Sequence, residues 1–263
     1  MIKIFFSIIL SLISAILINR IVSQNKIITI NSVFPGCFFF LTSLPLILCE
    51  QNIETTVIVL LFIYLIYEIF KLKDLKVQKT TFFNIGFTSS IIGIFNIELL
   101  LNIILVLFSL IYYKQFNWKI AIIYITGLIC PVIIIFTIDY LGSDLNLIIY
   151  NRIEYHATLQ IIKNHITFWI IITATLILSS HELYNNHHKK KDSAKKGLNT
   201  LLFGSTTLIM CMFLKQSINL IFLLIIPLSV IIPNYILYTK HKVFRTFLLG
   251  LLTTILIINI LYL

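Results

Sequence analysis

Apolar runs follow one another along this chain, and the polar gaps between them are mostly too short to hold a soluble fold. A bilayer-crossing helix needs about 20 predominantly apolar residues, with a range of roughly 17–25. Ten segments approach that pattern: 4–19, 33–49, 55–70, 82–96, 97–113, 120–138, 166–180, 200–214, 218–238 and 246–263. Several are short, so their ends extend into flanking polar residues or the bilayer thins around them. The composition agrees. Apolar residues make up 59% of the 263 and charged residues 11%, against about 25% charged in an ordinary soluble domain. A water-soluble globule has no way to cover so much apolar surface. This excludes a soluble enzyme, a nucleic-acid-binding domain and a disordered chain. The expectation is an all-α fold: one polytopic transmembrane helical bundle of about ten spans over residues 1–263, with no soluble domain.

Charge placement orients the bundle. Cytoplasmic loops carry an excess of Lys and Arg. With Arg20 and Lys26 inside and the sides alternating, sixteen of the 20 basic residues fall on the inner side: these two and the fourteen in the turns that hold Lys71–Lys79, Lys114–Lys119, Lys189–Lys196 and Lys240–Arg245. Lys3, Arg152, Lys163 and Lys215 fall outside. Both chain ends are then expected outside. The first segment has the charge and core of a signal peptide, but it lacks a small-x-small cleavage site and runs directly into Arg20, which favours an uncleaved span. Its Lys3 argues against an outside N-terminus. The net charge of +10 therefore sits in short turns, which does not point to nucleic acid. Cys37, Cys49, Cys130 and Cys211 lie in apolar segments without CxxC spacing, so they are read as small buried residues rather than as a metal or disulfide framework.

The candidate chemistry falls on the outer side. Glu50, Glu54 and Glu98 occupy outer ends of successive spans. Three carboxylates on one face could act as a general base or bind a divalent cation; outer helix ends also need polar residues for ordinary reasons. The outer loop 139–165 carries Asp139 and Asp144, and an amphipathic pattern through Arg152, His156 and Lys163. It reads as an interfacial helix, either a solvated connector or a roof that meets a lipid phosphate. Glu68, in IYLIYEIFKLK, is an ionisable group inside a span. It is expected to pair with Lys71, one turn on. The inner loop 181–199 contains His181, His187 and His188, but their spacing fits no zinc pattern. A basic loop beside anionic lipid is the plainer reading.

Taken together, the order from Asn19 to Val132 is distinctive. A basic inner turn (NRIVSQNKIITINS), a span with Pro45, an acidic outer turn (CEQNIE), a span ending LIYEIFKLKDLK, a Gly-containing helix and a Gly-x-x-x-Pro span follow in that sequence. It resembles an uncharacterised multi-pass family of Bacteroidota membrane proteins, itself similar in helix order to the core of the integral-membrane GT-C glycosyltransferases. The second resemblance implies a polyprenyl-phosphate sugar donor, inverting transfer at the outer face, and acids in outer loops. Glu50 and Glu54 match the acidic position that often follows the next pair of spans in that class. Its first acidic loop has no counterpart, since Met1 to Lys3 alone precede the first apolar run. The function expected is handling of a polyprenyl-phosphate-linked sugar in the bacterial inner membrane, with Glu50 and Glu54 catalytic. Arg152, His156, Lys163, Glu98, Asp139 and Asp144 would bind substrate. The alternative is a non-enzymatic transporter, flippase-like protein or assembly partner in envelope biogenesis.

Overall fold

The structure, a computed structural model, describes residues 2–28, 33–50, 53–74, 77–140, 192–214 and 218–238, with Thr246 and Gly250. The expected spans 166–180 and 246–263 therefore lie outside the described residues, apart from those two single positions. So do Asp144, Arg152, His156, Lys163 and the histidines at 181, 187 and 188.

Among the described residues every regular element is helical. They are α1 (Ile2–Gln24), α2 (Phe34–Glu50), α3 (Ile53–Lys71), α4 (Lys79–Phe95), a 3-10 turn (Ile97–Leu101), α5 (Asn102–Tyr112), α6 (Trp118–Tyr140), α7 (Asp192–Leu214) and α8 (Ile218–Tyr238). The expected count of about ten spans is not supported. Among the described residues four stretches are long and apolar enough to cross a membrane: Lys3–Gln24, Ile53–Lys71, Trp118–Ile138 and Leu220–Leu237. Two of the ten expected spans lie outside the described residues, and two others fall short for a physical reason. α4 carries Thr, Ser, Asn and Gly among its 17 residues. The run 97–113 spends five residues on the 3-10 turn, which leaves α5 with 11. The basic loop expected to extend to 199 also ends early. α7 begins at Asp192, because Ala194, Leu198 and Leu201 recur at helical spacing and are buried.

The helices pack around α8. Its apolar window is 89% buried, whereas that of α6 is 17% buried. An all-round apolar helix such as α8, INLIFLLIIPLSVIIPNYILY, belongs in the middle of a bundle. It packs on α7, α2 and α3. Two adjoining crevices run between α1, α3, α7 and α8, bordered by Ile66, Phe70, Leu201 and Pro227 among others, each with room for about one water, about 10 Å³. Their apolar walls offer a water few partners.

Close approach between helices is bought by small residues, as packing in lipid requires. Gly86 of α4 and Gly127 of α6 cross backbone to backbone: a Cβ on Gly86 would strike the Tyr124 carbonyl oxygen, and one on Gly127 the Phe83 carbonyl oxygen. Gly36 sits equally close to Ala15 and Asn19. There the Asn19 Oδ1 accepts the Gly36 N–H at 2.7 Å, which supplies a first-turn amide of α2 with the partner it lacks within its own helix. Between α5 and α7 the contact is aromatic and polar. Phe108 stacks on Phe203 with centroids 3.8 Å apart, Asn199 donates to the Tyr112 hydroxyl at 2.9 Å, and the Tyr113 and Thr200 hydroxyls lie 3.0 Å apart.

Candidate functional site: the acid-bearing end

The hydrogen bonds fix which helix ends share a side. Lys73, just past α3, donates to Asn25 Oδ1, just past α1, at 2.6 Å. Gln115, just past α5, donates to the carbonyls of Leu72 and Asp74 at 3.3 Å each. Gly197, early in α7, faces Ile27 and Phe70. One end of the bundle therefore gathers the turns after α1, α3 and α5 and the start of α7. It carries Lys26, Lys71, Lys73, Lys114, Lys195 and Lys196. This is the grouping the alternating topology anticipates for the basic turns.

Two of these turns end helices in the same way. Ile27 N–H bonds to the Val22 carbonyl and Gln115 N–H to the Leu110 carbonyl, five residues back, with Lys26 at φ 51° and Lys114 at φ 57°. Both are Schellman-type terminations that place a lysine where glycine is usual.

Four of the acids lie at the opposite end, while Asp74 and Asp192 sit with the lysines. α2 is antiparallel to α1 through the Asn19–Gly36 contact, so its last residue, Glu50, is remote from Arg20. Glu54 is in the first turn of α3 and is exposed. Glu98 lies in the 3-10 turn between α4 and α5. α6 starts three residues after Gln115 at the basic end, and its 23 residues carry Asp139 to the far end. The backbone thus places Glu50, Glu54, Glu98 and Asp139 on one side of the molecule. Among the described residues no three His, Cys, Asp or Glu side chains form a metal-binding group.

Neutral polar groups at the acid-bearing end were not singled out in the sequence. Asn96 caps α4 with an extended backbone, and Asn102 opens α5. The turn between them folds back on α4: Gly93 lies under Leu100, where a Cβ would meet the leucine side chain. Asn96 and Asn102 are buried, at 7% and 1% exposure. Asn96 Nδ2, both amide atoms of Asn102, and the hydroxyl of Thr55 beside Glu54 have no hydrogen-bond partner. Elsewhere in the bundle several buried hydroxyls bond back to a carbonyl three or four residues earlier, as Thr42, Thr56, Ser89, Ser109 and Ser229 do, while those of Ser7, Ser14 and Tyr124 also lack a partner. The signal available in sequence was two asparagines bounding a short turn inside an apolar run.

Glu68 lies toward the basic end, as Asp74 and Asp192 do, away from Glu50, Glu54, Glu98 and Asp139. It is 1% exposed, and its Oε1 accepts from Lys71 Nζ at 2.6 Å, the ion pair that its sequence position implied. Lys71 also lies over the Tyr67 ring, 4.3 Å from the centroid. The second carboxylate oxygen, Oε2, is buried without a partner.

The fold and these ends define a class: among the described residues, four long apolar helices with most charge near the helix ends fit a helical membrane protein. Within that class the chain belongs to a family of unknown function (DUF6427), whose family model matches residues 2–262. Comparison with curated proteins finds no match, and comparison with solved structures finds none.

Proposed function

We propose that the chain is a multi-pass protein of the bacterial inner membrane that acts in envelope biogenesis, handling a polyprenyl-phosphate-linked sugar at its acid-bearing, outward face. One observation supports this reading above others: Glu50, Glu54, Glu98 and Asp139 share the end of the bundle opposite the lysine-rich turns. A basic cytoplasmic end leaves the carboxylates facing outward, where a GT-C-like transferase would work. In that mechanism Glu54 or Glu50 takes the proton from an acceptor hydroxyl. The hydroxyl oxygen attacks the anomeric carbon, and the lipid phosphate leaves from the opposite face with inversion. Arg152, His156 and Lys163 are assigned to the phosphate. Glu98, Asp139 and Asp144 are assigned to substrate, with a divalent cation an allowable companion.

The test is photolabelling of the full chain in lipid nanodiscs with a diazirine-bearing polyprenyl phosphate, free and hexose-linked, followed by sugar-transfer assay of the double variant Glu50→Ala, Glu54→Ala. Labelling near the outer turns with loss of transfer in the variant is the expected result. No labelling by either probe discards the reading, and full transfer by the double variant discards the two catalytic roles.

A second reading, a transporter or flippase-like protein, has its own support. Pro227 and Pro233 lie within α8, the most enclosed of the four long apolar helices, and proline-bearing central segments are where transporters build their sites. Substrate movement across sealed vesicles without chemical change favours this reading over the first.

A further inference from the structure

We infer that the lysine-rich end of the bundle is a docking surface for the headgroups of anionic phospholipids. The inference does not depend on the sugar-lipid reading of the opposite end. The turn Leu72–Asp74 is at its centre. Lys73 donates to Asn25 Oδ1, the Gln115 side chain donates to the Leu72 and Asp74 carbonyls, and Gly197 packs against Ile27 and Phe70. These contacts draw the turns that carry Lys26, Lys73 and Lys114, and the part of α7 that carries Lys196, into one patch. Two acids at this end are already matched: Glu68 pairs with Lys71 and Asp192 with Lys195. Lys26, Lys114 and Lys196 are exposed, and among the described residues no carboxylate pairs with them. Asp74 is then the one remaining carboxylate described among four cations.

The backbone and the neighbouring side chains select the partner. Lys26 and Lys114 both stand in the left-handed position after a helix, which glycine occupies without strain. Helix termination alone therefore does not account for a lysine at either place. Complementing the helix dipole is one use for the charge, but that use is the same in any lipid. Apolar side chains exposed at this end point to the membrane surface. Val33 lies just before α2, whose Gly36 meets Asn19, and Phe116 and Trp118 follow Gln115; all three are exposed. Apolar and aromatic groups level with lysines suit the headgroup layer, where phosphates carry the negative charge. They suit a soluble anion or an acidic protein surface less well. Attraction to an anionic leaflet is worth roughly fivefold in affinity per lysine.

The experiment follows thermal unfolding of the full chain in a neutral detergent with phosphatidylcholine or phosphatidylglycerol added, and the binding of spin-labelled forms of both lipids. Wild type is expected to unfold at a higher temperature with phosphatidylglycerol and to bind it at least roughly fivefold more tightly than phosphatidylcholine. The double variant Lys26→Gly, Lys114→Gly removes two cations while relieving the backbone, so its fold is not put at risk. It should lose most of the lipid preference and of the lipid-dependent shift. Lys26→Arg, Lys114→Arg keeps the charge and should keep both. Equal binding of the two lipids by wild type, or a preference that the glycine variant retains in full, overturns the inference and leaves these lysines as partners of the helix dipoles alone. The same shift produced by inorganic phosphate with phosphatidylcholine assigns the patch to a soluble anion and overturns the lipid assignment. None of these outcomes bears on the function proposed above.

Discussion

Single residues in this bundle show where stability is held in reserve. Lys26 and Lys114 adopt φ 51° and 57°, a left-handed conformation that costs an ordinary L-residue roughly 1 kcal/mol. Glycine does not meet that penalty. Lys26→Gly and Lys114→Gly should each therefore raise the midpoint of thermal unfolding in detergent, by an amount corresponding to about 0.5–1 kcal/mol. A fall would mean that these lysines contribute more through charge than they lose in backbone strain. Glu68 makes the opposite case. Its carboxylate relies on Lys71, so Lys71→Ala should destabilise by about 2 kcal/mol. This is below the range for breaking a fully buried pair because Lys71 is partly exposed. The double variant Glu68→Gln, Lys71→Ala should recover part of that loss in the same unfolding assay, because the glutamine carries no charge to strand.

At the scale of helices, the α4–α6 crossing is the clearest dependency. Gly86 and Gly127 meet through backbone atoms, which cannot rotate aside as a side chain can. Gly127→Ala should cost about 1–3 kcal/mol, as other forced insertions into close-packed interiors do, and should loosen α6. A cysteine pair across the crossing, tested by disulfide formation in membranes, reads this directly: oxidation falls in the alanine variant if the helices separate. α6 also presents most of its apolar surface outward, with Ile122, Ile129, Ile133 and Phe136 exposed and Trp118 and Tyr140 at its two ends. Twenty-three residues rise about 34 Å, enough for a hydrocarbon core of about 30 Å, and aromatic residues favour its two interfaces. Spin labels at 129 and 133 should accordingly report accessibility to oxygen in lipid rather than to a water-soluble relaxant.

Helix placement was largely legible in the sequence because hydrocarbon imposes a length and an apolar composition on whatever crosses it. The runs at 4–19, 55–70, 120–138 and 218–238 all lie within long apolar helices. What the apolar runs could not convey was rank. Ile-rich α6 and Ile-rich α8 look alike as strings, yet one is peripheral and the other central; that difference arises from neighbours such as Gly86, which are distant in sequence. The short 3-10 turn was hidden for a related reason. Asn96 signalled a break, but nothing local distinguished a tight turn from five further helical residues, and its return onto Gly93 is a tertiary contact. The Glu68–Lys71 pair was legible because both partners lie on one helix face. The orphaned amides were not, since whether an asparagine finds a partner is decided by the fold around it.

Over the whole molecule the organising feature is polarity along the bundle: lysine-rich turns joined by the Lys73–Asn25 and Gln115 hydrogen bonds at one end, and Glu50, Glu54, Glu98 and Asp139 with the unpartnered amides, free of lysine among the described residues past Lys3, at the other. The proposed chemistry depends on these ends facing opposite compartments. The most direct measurement places single cysteines at 54 and 114 in a chain otherwise free of cysteine and treats intact cells, outer membrane opened, with a maleimide that does not cross the inner membrane. Labelling is expected at 54 without further treatment and at 114 only after the inner membrane is permeabilised. Equal labelling of both positions in intact cells, or the reverse order, contradicts it.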